Sequence, residues 1–492
     1  MEKHVLSKST FIKGMQCQKA LYLYKHHKEL KEEVSAAQEA IFAQGTSVGE
    51  LATQLFPGGV DCTPESFYDF QQAVMRTQEE INKGTKIIYE AAFQYNGVLA
   101  ALDILVKDEK GWKAYEVKSS TSISETYHLD ATIQYYAITN SGIDLQDISI
   151  VYINNEYEKN GPIDVKQLFT IESVKEIVLE LLPGIPNKVA ALKKVLLQKD
   201  IPTVDIGPHC SDPYACDFAG HCWKHIPDYS VFNISRLTTD KKFEFYRKGI
   251  ISFNDIPEDA ELNENQWMQV TSELNNETHI DKKKIKEFVN DLSYPIYFMD
   301  FETFSTAVPV FDKSKPYRHL VFQYSLHQLP SQNSELIHKE FLAETNGIDP
   351  RIPFVEQLIS DCGNKGDILV YNIGFERGKL NDLALVFPKY SARINKIIER
   401  LKDLMTPFQQ RWYYTPNMKG SYSIKKVLPA LAPELSYDDL NISEGGTASS
   451  TFATMLMGEF EGDVVQTRKD LLEYCKLDTF AMVEILKKLK TV

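Results

Sequence analysis

The chain has 492 residues, 43% hydrophobic and 25% charged, with a net charge of −14. At about 150 residues per domain this is room for roughly three domains, and the composition excludes a disordered chain, a collagen-like repeat and a coiled-coil rod. No apolar run approaches the ~18 residues of a membrane-spanning helix, and Met1–Thr10 is polar without a signal core, so the expected compartment is the cytoplasm with no membrane partner.

The acidic mean hides two basic stretches. Residues 1–31 carry seven lysines against Glu2 and Glu29, and residues 400–427 carry six basic residues against Asp403. Local fields govern binding, so a polyanionic ligand remains admissible.

Helix-like patterns cover Ser9–Tyr24 and Glu32–Leu55. The runs Lys86–Tyr95, Val98–Lys107 and Trp112–Lys118 are then apolar and β-favouring, separated by Asn96-Gly97 and by Asp108–Gly111, which predicts a three-strand meander. A helix at Leu129–Ile138, a strand at Ile148–Asn154 and a long helix over Glu172–Leu197, interrupted by Pro183 and Pro186, complete the first segment. Glu116 and Lys118 are two apart on a strand and share a face, and a hairpin brings Asp103 beside them. Two carboxylates and an ammonium make a poor core but a good site for a hard divalent cation, Mg²⁺ or Mn²⁺.

This set, Asp103 with Glu116-Val117-Lys118, resembles the PD-(D/E)XK nucleases. Gln134 on the following helix is similar to the glutamine motif of the RecB-like branch, and Glu50 to its N-terminal metal ligand. The resemblance implies that Asp103, Glu116 and Glu50 hold the metal while Lys118 and Gln134 serve catalysis. The competing reading is a surface hairpin with scattered charges.

Seven cysteines in a reducing compartment argue for metal binding or plain burial over disulfides. Cys210, Cys216 and Cys222 cluster after the nuclease-like core, and Cys17 precedes it. One cysteine before and three after resembles the iron–sulfur RecB-like nucleases, among them the CRISPR-associated exonucleases, and implies a 4Fe–4S cluster. A zinc site, with His209, His221 or His225 contributing, and three buried thiols are the alternatives.

Residues 228–290 read as a polar helical connector. Its Tyr246–Ile250 step is either an ordinary turn or a phosphate-touching hairpin, and Lys282–Lys284 marks a solvated face. An α/β pattern follows, with strands at Ile296–Phe301, Leu320–Gln328, Ile337–Leu342 and Asp367–Tyr371, and helices at Ile352–Cys362, Gly374–Leu385 and Val464–Leu489. Asp300 and Glu302 share a strand face, Glu376 opens a helix, and Tyr474 and Asp478 lie one turn apart. Four such acids can hold two cations, with the phenol orienting water.

These motifs resemble the DEDD exonucleases, with glutamate at 376 where aspartate is usual. The resemblance implies metal ligands Asp300, Glu302, Glu376 and Asp478 and a catalytic Tyr474. Arg411, Trp412, Tyr422, Lys425 and Lys426 interleave bases and rings in a way that suits a single nucleic-acid strand. A core-facing aromatic loop is the other reading.

The expectation is therefore an α/β, multidomain chain. Residues 1–227 would form a PD-(D/E)XK restriction-endonuclease-like domain, 228–290 a helical linker and 291–492 an RNase H-like (DnaQ-like) domain. Their expected activity is metal-dependent exonucleolytic hydrolysis of DNA, with RNA the second candidate. A scaffold that binds without cutting, or a chain with one active domain, are the alternatives.

Overall fold

Where one helix is expected over Ser9–Tyr24, the computed structural model has two, broken at Cys17, whose backbone is extended (φ −156°, ψ 118°). The structure describes residues 6–66, 69–438 and 440–492, without the side chains of 36 and 37. It divides into one unit of residues 1–225 with 306–317 and a second of 226–305 with 318–492. Residues 228–290 thus lie within the second unit, and the stretch 306–317, expected in the C-terminal domain, belongs to the first.

In the first unit, β1 (Leu6–Ser7) leads into α1 (Lys8–Gln16), whose capping box is Ser7 with Thr10. Then come α2 (Gln18–His26), α3 (Ala36–Ala52), β2 (Val60–Asp61), α4 (Phe70–Lys83) and the meander β3 (Ile87–Tyr95), β4 (Val98–Asp108) and β5 (Gly111–Lys118). Asn96 and Gly97, at φ 45° and 69°, make the left-handed two-residue turn that sets Tyr95 opposite Val98. Next follow α5 (Glu125–Asn140), β6 (Leu145–Ile153), α6 (Val165–Leu168), β7 (Phe169–Ser173), α7 (Lys175–Leu181), α8 (Ile185–Leu196) and α9 (Ala219–Cys222).

The sheet runs β2-β3-β4-β5-β6-β7, and β1 pairs in parallel with the start of β4, at Val98 and Leu99, before β5 takes that edge from Ile104 onward. One face packs Leu102, Leu105 and Ala114 on Ala131, Tyr135 and Ile138 of α5; the other packs Ile104, Tyr115 and Val117 on Val48 and Ala52 of α3. Each large aliphatic side chain buried this way contributes about 1.5–3 kcal/mol. The helix expected from Glu172 is corrected. Glu172 pairs with Ile150 as part of β7, because β6 offers an open edge there, and Pro183 and Pro186 sit in first turns, where a missing N–H costs nothing.

In the second unit, α10 (Thr239–Arg247), α11 (Glu264–Asn275), β8 (His279–Ile280) and α12 (Lys282–Asn290) precede the main sheet. The strands are β9 (Ile296–Phe304), β10 (Leu320–Leu329), β11 (Ile337–Leu342), β12 (Ile368–Val370) after α13 (Arg351–Asp361), and β13 (Leu401–Asp403) after α14 (Ile373–Val386) and α15 (Ser391–Ile398). Then follow α16 (Thr406–Gln409), β14 (Tyr413–Tyr414), α17 (Ile424–Leu431), α18 (Gly445–Met457) and α19 (Val464–Lys490).

The order is β11-β10-β9-β12-β13, antiparallel through β11, β10 and β9, with β12 parallel to both neighbours. Strand β9 alternates. Tyr297, Met299 and Phe301 face α13, α14 and α15, while Ile296 and Phe298 face α12, α17 and α19. The pairing of β8 with β14 ties the region read as a connector into this unit. The protein is thus a mixed α/β chain of two units, and no helix among the described residues is long and apolar enough to cross a membrane.

Candidate functional site

Alternation on β9 carries Asp300 and Glu302 to the face that α19 covers, and α19 brings Tyr474, Cys475 and Asp478 to the same place. Ligand atoms of Asp300, Glu302 and Cys475 all lie within 4.8 Å of one another, and the Cys475 Sγ is 3.9 Å from the Asp300 carboxylate. Glu376 sits in the first turn of α14, entered through Asn372 in the left-handed region (φ 81°). It is only 2% exposed, and its Oε2 has no hydrogen-bond partner.

Burial, then Asp478, Glu302 and Glu376, push the Asp300 carboxyl well above the usual range; Glu302 is raised by burial and Asp478, with Lys425 opposing. Burial lifts Glu376 to about 8 and Asp478 to about 6, the latter against hydrogen bonds from Tyr437 and Tyr474. Massed acids with an orphaned carboxylate oxygen are costly unless a cation joins them, so this donor set fits hard divalent cations.

In the first unit, Asp103 and Glu116 are neighbours on the α5 face, and Gln134 donates from α5 to Glu116 Oε2 at 2.7 Å. Lys118 donates to Glu116 at 2.7 Å and Asp130 at 2.5 Å, and Lys8, delivered by β1, reaches Glu116 at 2.5 Å. Although burial opposes it, the two ammonium groups hold Glu116 down at about 2. Burial and Glu116 push Asp103 well up, while its Oδ2 accepts from the Val117 N–H at 2.5 Å.

The ligand set expected here needs one correction. Glu50 is exposed on α3, which covers the opposite face of the sheet through Val48 and Ala52, and no ion pair or side-chain hydrogen bond among the described residues joins it to Asp103 or Glu116.

Cys17, Cys210, Cys216 and Cys222 line one pocket with Ile206, His209 and Phe218. Burial raises the Cys216 and Cys222 thiols, and Cys17 and Cys210 add to the rise in both. No three of the four sulfurs lie within 4.8 Å of one another, whereas tetrahedral zinc at Zn–S of ~2.3 Å needs them about 3.8 Å apart. His221 Nδ1 is buried without a partner.

The proposed strand-binding set separates. Arg411 is corrected: it is 4% exposed, stacks 4.5 Å over Tyr414 and donates to the Gly420 carbonyl at 2.9 Å, so it braces a loop and presents no surface charge. Trp412 packs partly into the core of the second unit. Tyr422 accepts from Arg236 at 2.9 Å, Lys426 is exposed, and Lys425 lies over the rings of Tyr437 and Tyr474 at 5.5 and 5.3 Å.

Sequence reasoning missed Lys8, Asp130 and Tyr437. Asp130 is four residues before Gln134, a spacing that puts both on one helix face and was open to inspection. No local pattern marks Lys8 or Tyr437, which arrive through β1 and a loop.

A family described as a domain of unknown function, DUF2779, matches residues 297–423. The chain is 32% identical over 219 residues to "Uncharacterized protein MG366 homolog" of Mycoplasma pneumoniae, covering 41% of this chain and 33% of that protein. It is 29% identical over 237 residues to "Uncharacterized protein UU173" of Ureaplasma parvum, covering 43% of this chain and 33% of that protein. The chain thus spans about a third of the length of the curated relatives it matches.

Proposed function

We propose that this chain is a divalent-metal-dependent nuclease that hydrolyses phosphodiester bonds of DNA, with RNA a second candidate, acting from ends. The observation that carries the reading is the meeting of Asp300 and Glu302, ligand atoms within 4.8 Å, with Asp478 and Glu376 near enough to raise Asp300 and with Glu376 Oε2 buried and unpartnered. The order β11-β10-β9-β12-β13 supports an RNase H-like (DnaQ-like) domain of DEDD type. The meander β3-β4-β5 with α5 and a parallel β6 supports a PD-(D/E)XK domain of RecB-like type.

Mg²⁺ or Mn²⁺ held by the four acids would neutralise phosphate charge and lower the pKa of a water. The chain's own residues divide the remaining work. Tyr474, one helical turn from Asp478, orients the attacking water, and Tyr437 fixes Asp478 through a 2.7 Å hydrogen bond to its Oδ1. In the first unit Lys118 acts on the water and Gln134 orients Glu116. The meeting of Cys17, Cys210, Cys216 and Cys222 in one pocket supports a 4Fe–4S cluster, with zinc the alternative.

A second reading, in which only the C-terminal acids cut, is favoured by Lys8 and Lys118 both neutralising Glu116. The test is digestion of end-labelled single- and double-stranded DNA and RNA with Mn²⁺ by the full chain, Asp300→Asn and Lys118→Met. Loss of cleavage in Asp300→Asn alone selects the second reading, and absence of cleavage by the parent chain refutes both.

A further inference from the structure

The charge of Lys425 acts on both Glu302 and Asp478, yet among the described residues no ion pair within 4.0 Å joins it to either. The contrast with the first unit is informative, since there Lys8 and Lys118 close directly on Glu116 at 2.5 and 2.7 Å. Lys425 is held back by its surroundings. It lies in the first turn of α17, its ammonium donates to the Ser443 carbonyl at 2.6 Å, and it rests over the rings of Tyr437 and Tyr474.

Tyr437 in turn donates to Asp478, so one aromatic residue is bonded to a candidate metal ligand and also lies under the ammonium. A Cβ on Gly445 would stand in van der Waals contact, 3.6 Å from the Tyr474 hydroxyl and 3.8 Å from Glu302 Oε2, so the Gly445 backbone packs beside the acids. A cation held beside the carboxylates but off them, by rings and a carbonyl, is set for an anion that arrives with the divalent cations. In the proposed reaction that anion is the scissile phosphate.

We propose that Lys425 is a catalytic residue that grips a non-bridging oxygen of the scissile phosphate, with Tyr437 and Ser443 holding its ammonium off the carboxylates. This inference rests on the nuclease reading of the same site. It moves Lys425 from the path of the strand to the reacting phosphate. It also sets Lys425 in opposition to the metals, because its charge repels any cation bound to Glu302 and Asp478.

The experiment uses the full chain carrying Lys118→Met, which isolates the C-terminal site. Mn²⁺ binding is measured by calorimetry, and single-turnover cleavage is followed on a 5′-labelled single-stranded oligonucleotide at saturating Mn²⁺. Lys425→Met is expected to slow cleavage about 100-fold while Mn²⁺ affinity stays the same or tightens up to about fivefold as a like charge leaves. Lys425→Arg, which keeps the charge, is expected to recover at least a tenth of the parent rate.

Parent-like cleavage by Lys425→Met overturns the proposal, and so does a joint loss of Mn²⁺ affinity and cleavage, which marks a structural residue. If Lys425→Met does not fold, Lys425→Arg decides: at least about a tenth of the parent rate with an intact Mn²⁺ isotherm supports the phosphate contact, and a lower rate or loss of the isotherm overturns it. A parent chain that neither binds Mn²⁺ nor cleaves overturns the nuclease reading itself, a result distinct from any failure of the Lys425 variants.

Discussion

Gln134 donates its side-chain amide to Glu116 Oε2 at 2.7 Å, and both residues are fully buried, while Lys8 and Lys118 share the other oxygen of the same carboxylate. Glu116, 1% exposed, therefore has its charge met from three directions. Such a group is tolerated inside a protein only while its partners stay.

Removing them one at a time should show this. Lys118→Met leaves Asp130 without its 2.5 Å partner as well as loosening Glu116, and is expected to cost about 3 kcal/mol. Lys8 is more exposed and meets Asp130 only at 4.0 Å, so Lys8→Met is expected to cost about 1–2 kcal/mol. Urea denaturation of the two variants and their double mutant checks both figures and the coupling between the lysines. Equal costs for the two would contradict the arrangement.

The C-terminal acids give stability a distinct dependence on pH. Glu376 is raised to about 8 and Asp478 to about 6, above ordinary values of 4.5 and 3.8. Between those limits the native cluster keeps protons that the unfolded chain has lost. Stability without divalent cations should therefore be greatest at the acid end of this window and fall as pH rises to about 8. Mn²⁺, by displacing those protons, should restore more stability at pH 8 than at pH 5. Thermal melts in EDTA and in Mn²⁺ at both values measure the difference, and Asp300→Asn should flatten it.

Cys17 stands at the break between α1 and α2, nearly 200 positions from its three partners. Anaerobically purified protein is expected to be brown with about four irons per chain. Cys17→Ser should bleach it and lower the melting temperature of the first unit. Stoichiometric zinc without iron would overturn the cluster and reopen a role for His209 and the unpartnered His221.

Tyr474 and Asp478 occupy successive turns of α19 and should fail in different ways. Tyr474→Phe is expected to slow single-turnover cleavage about 10–100-fold with Mn²⁺ affinity unchanged, because a phenol that orients water holds no metal. Asp478→Asn should weaken Mn²⁺ binding and cleavage together. A Mn²⁺ titration of both variants against a 3′-end assay separates the roles, and wild-type kinetics in Tyr474→Phe would remove the phenol from the mechanism.

Much of this protein is written in short-range pattern. Asn96-Gly97 needs two left-handed residues and so dictates a hairpin, and the alternation of β9 assigns Asp300 and Glu302 to one face before any partner is known. The i, i+4 spacing likewise carries Tyr474 and Asp478 to one side of α19, and Cys17 with Cys210, Cys216 and Cys222 was visible as a set because thiols are rare. Tertiary structure decided what stands beside these groups. Lys8 meets Glu116 across 108 positions because β1 pairs with β4, and Tyr437 meets Asp478 because a loop folds back over α19. Glu50 illustrates the converse: its motif suggested a ligand, but the apolar stripe of α3 chose the opposite face of the sheet. Arg411 does so too, since a basic residue among aromatics reads as a binding surface until packing buries it over Tyr414. Periodicity specifies which way a side chain leaves its own element. Which face an element buries, and which distant charge arrives to meet it, depends on the summed burial of the whole core, and no local window of sequence contains that sum.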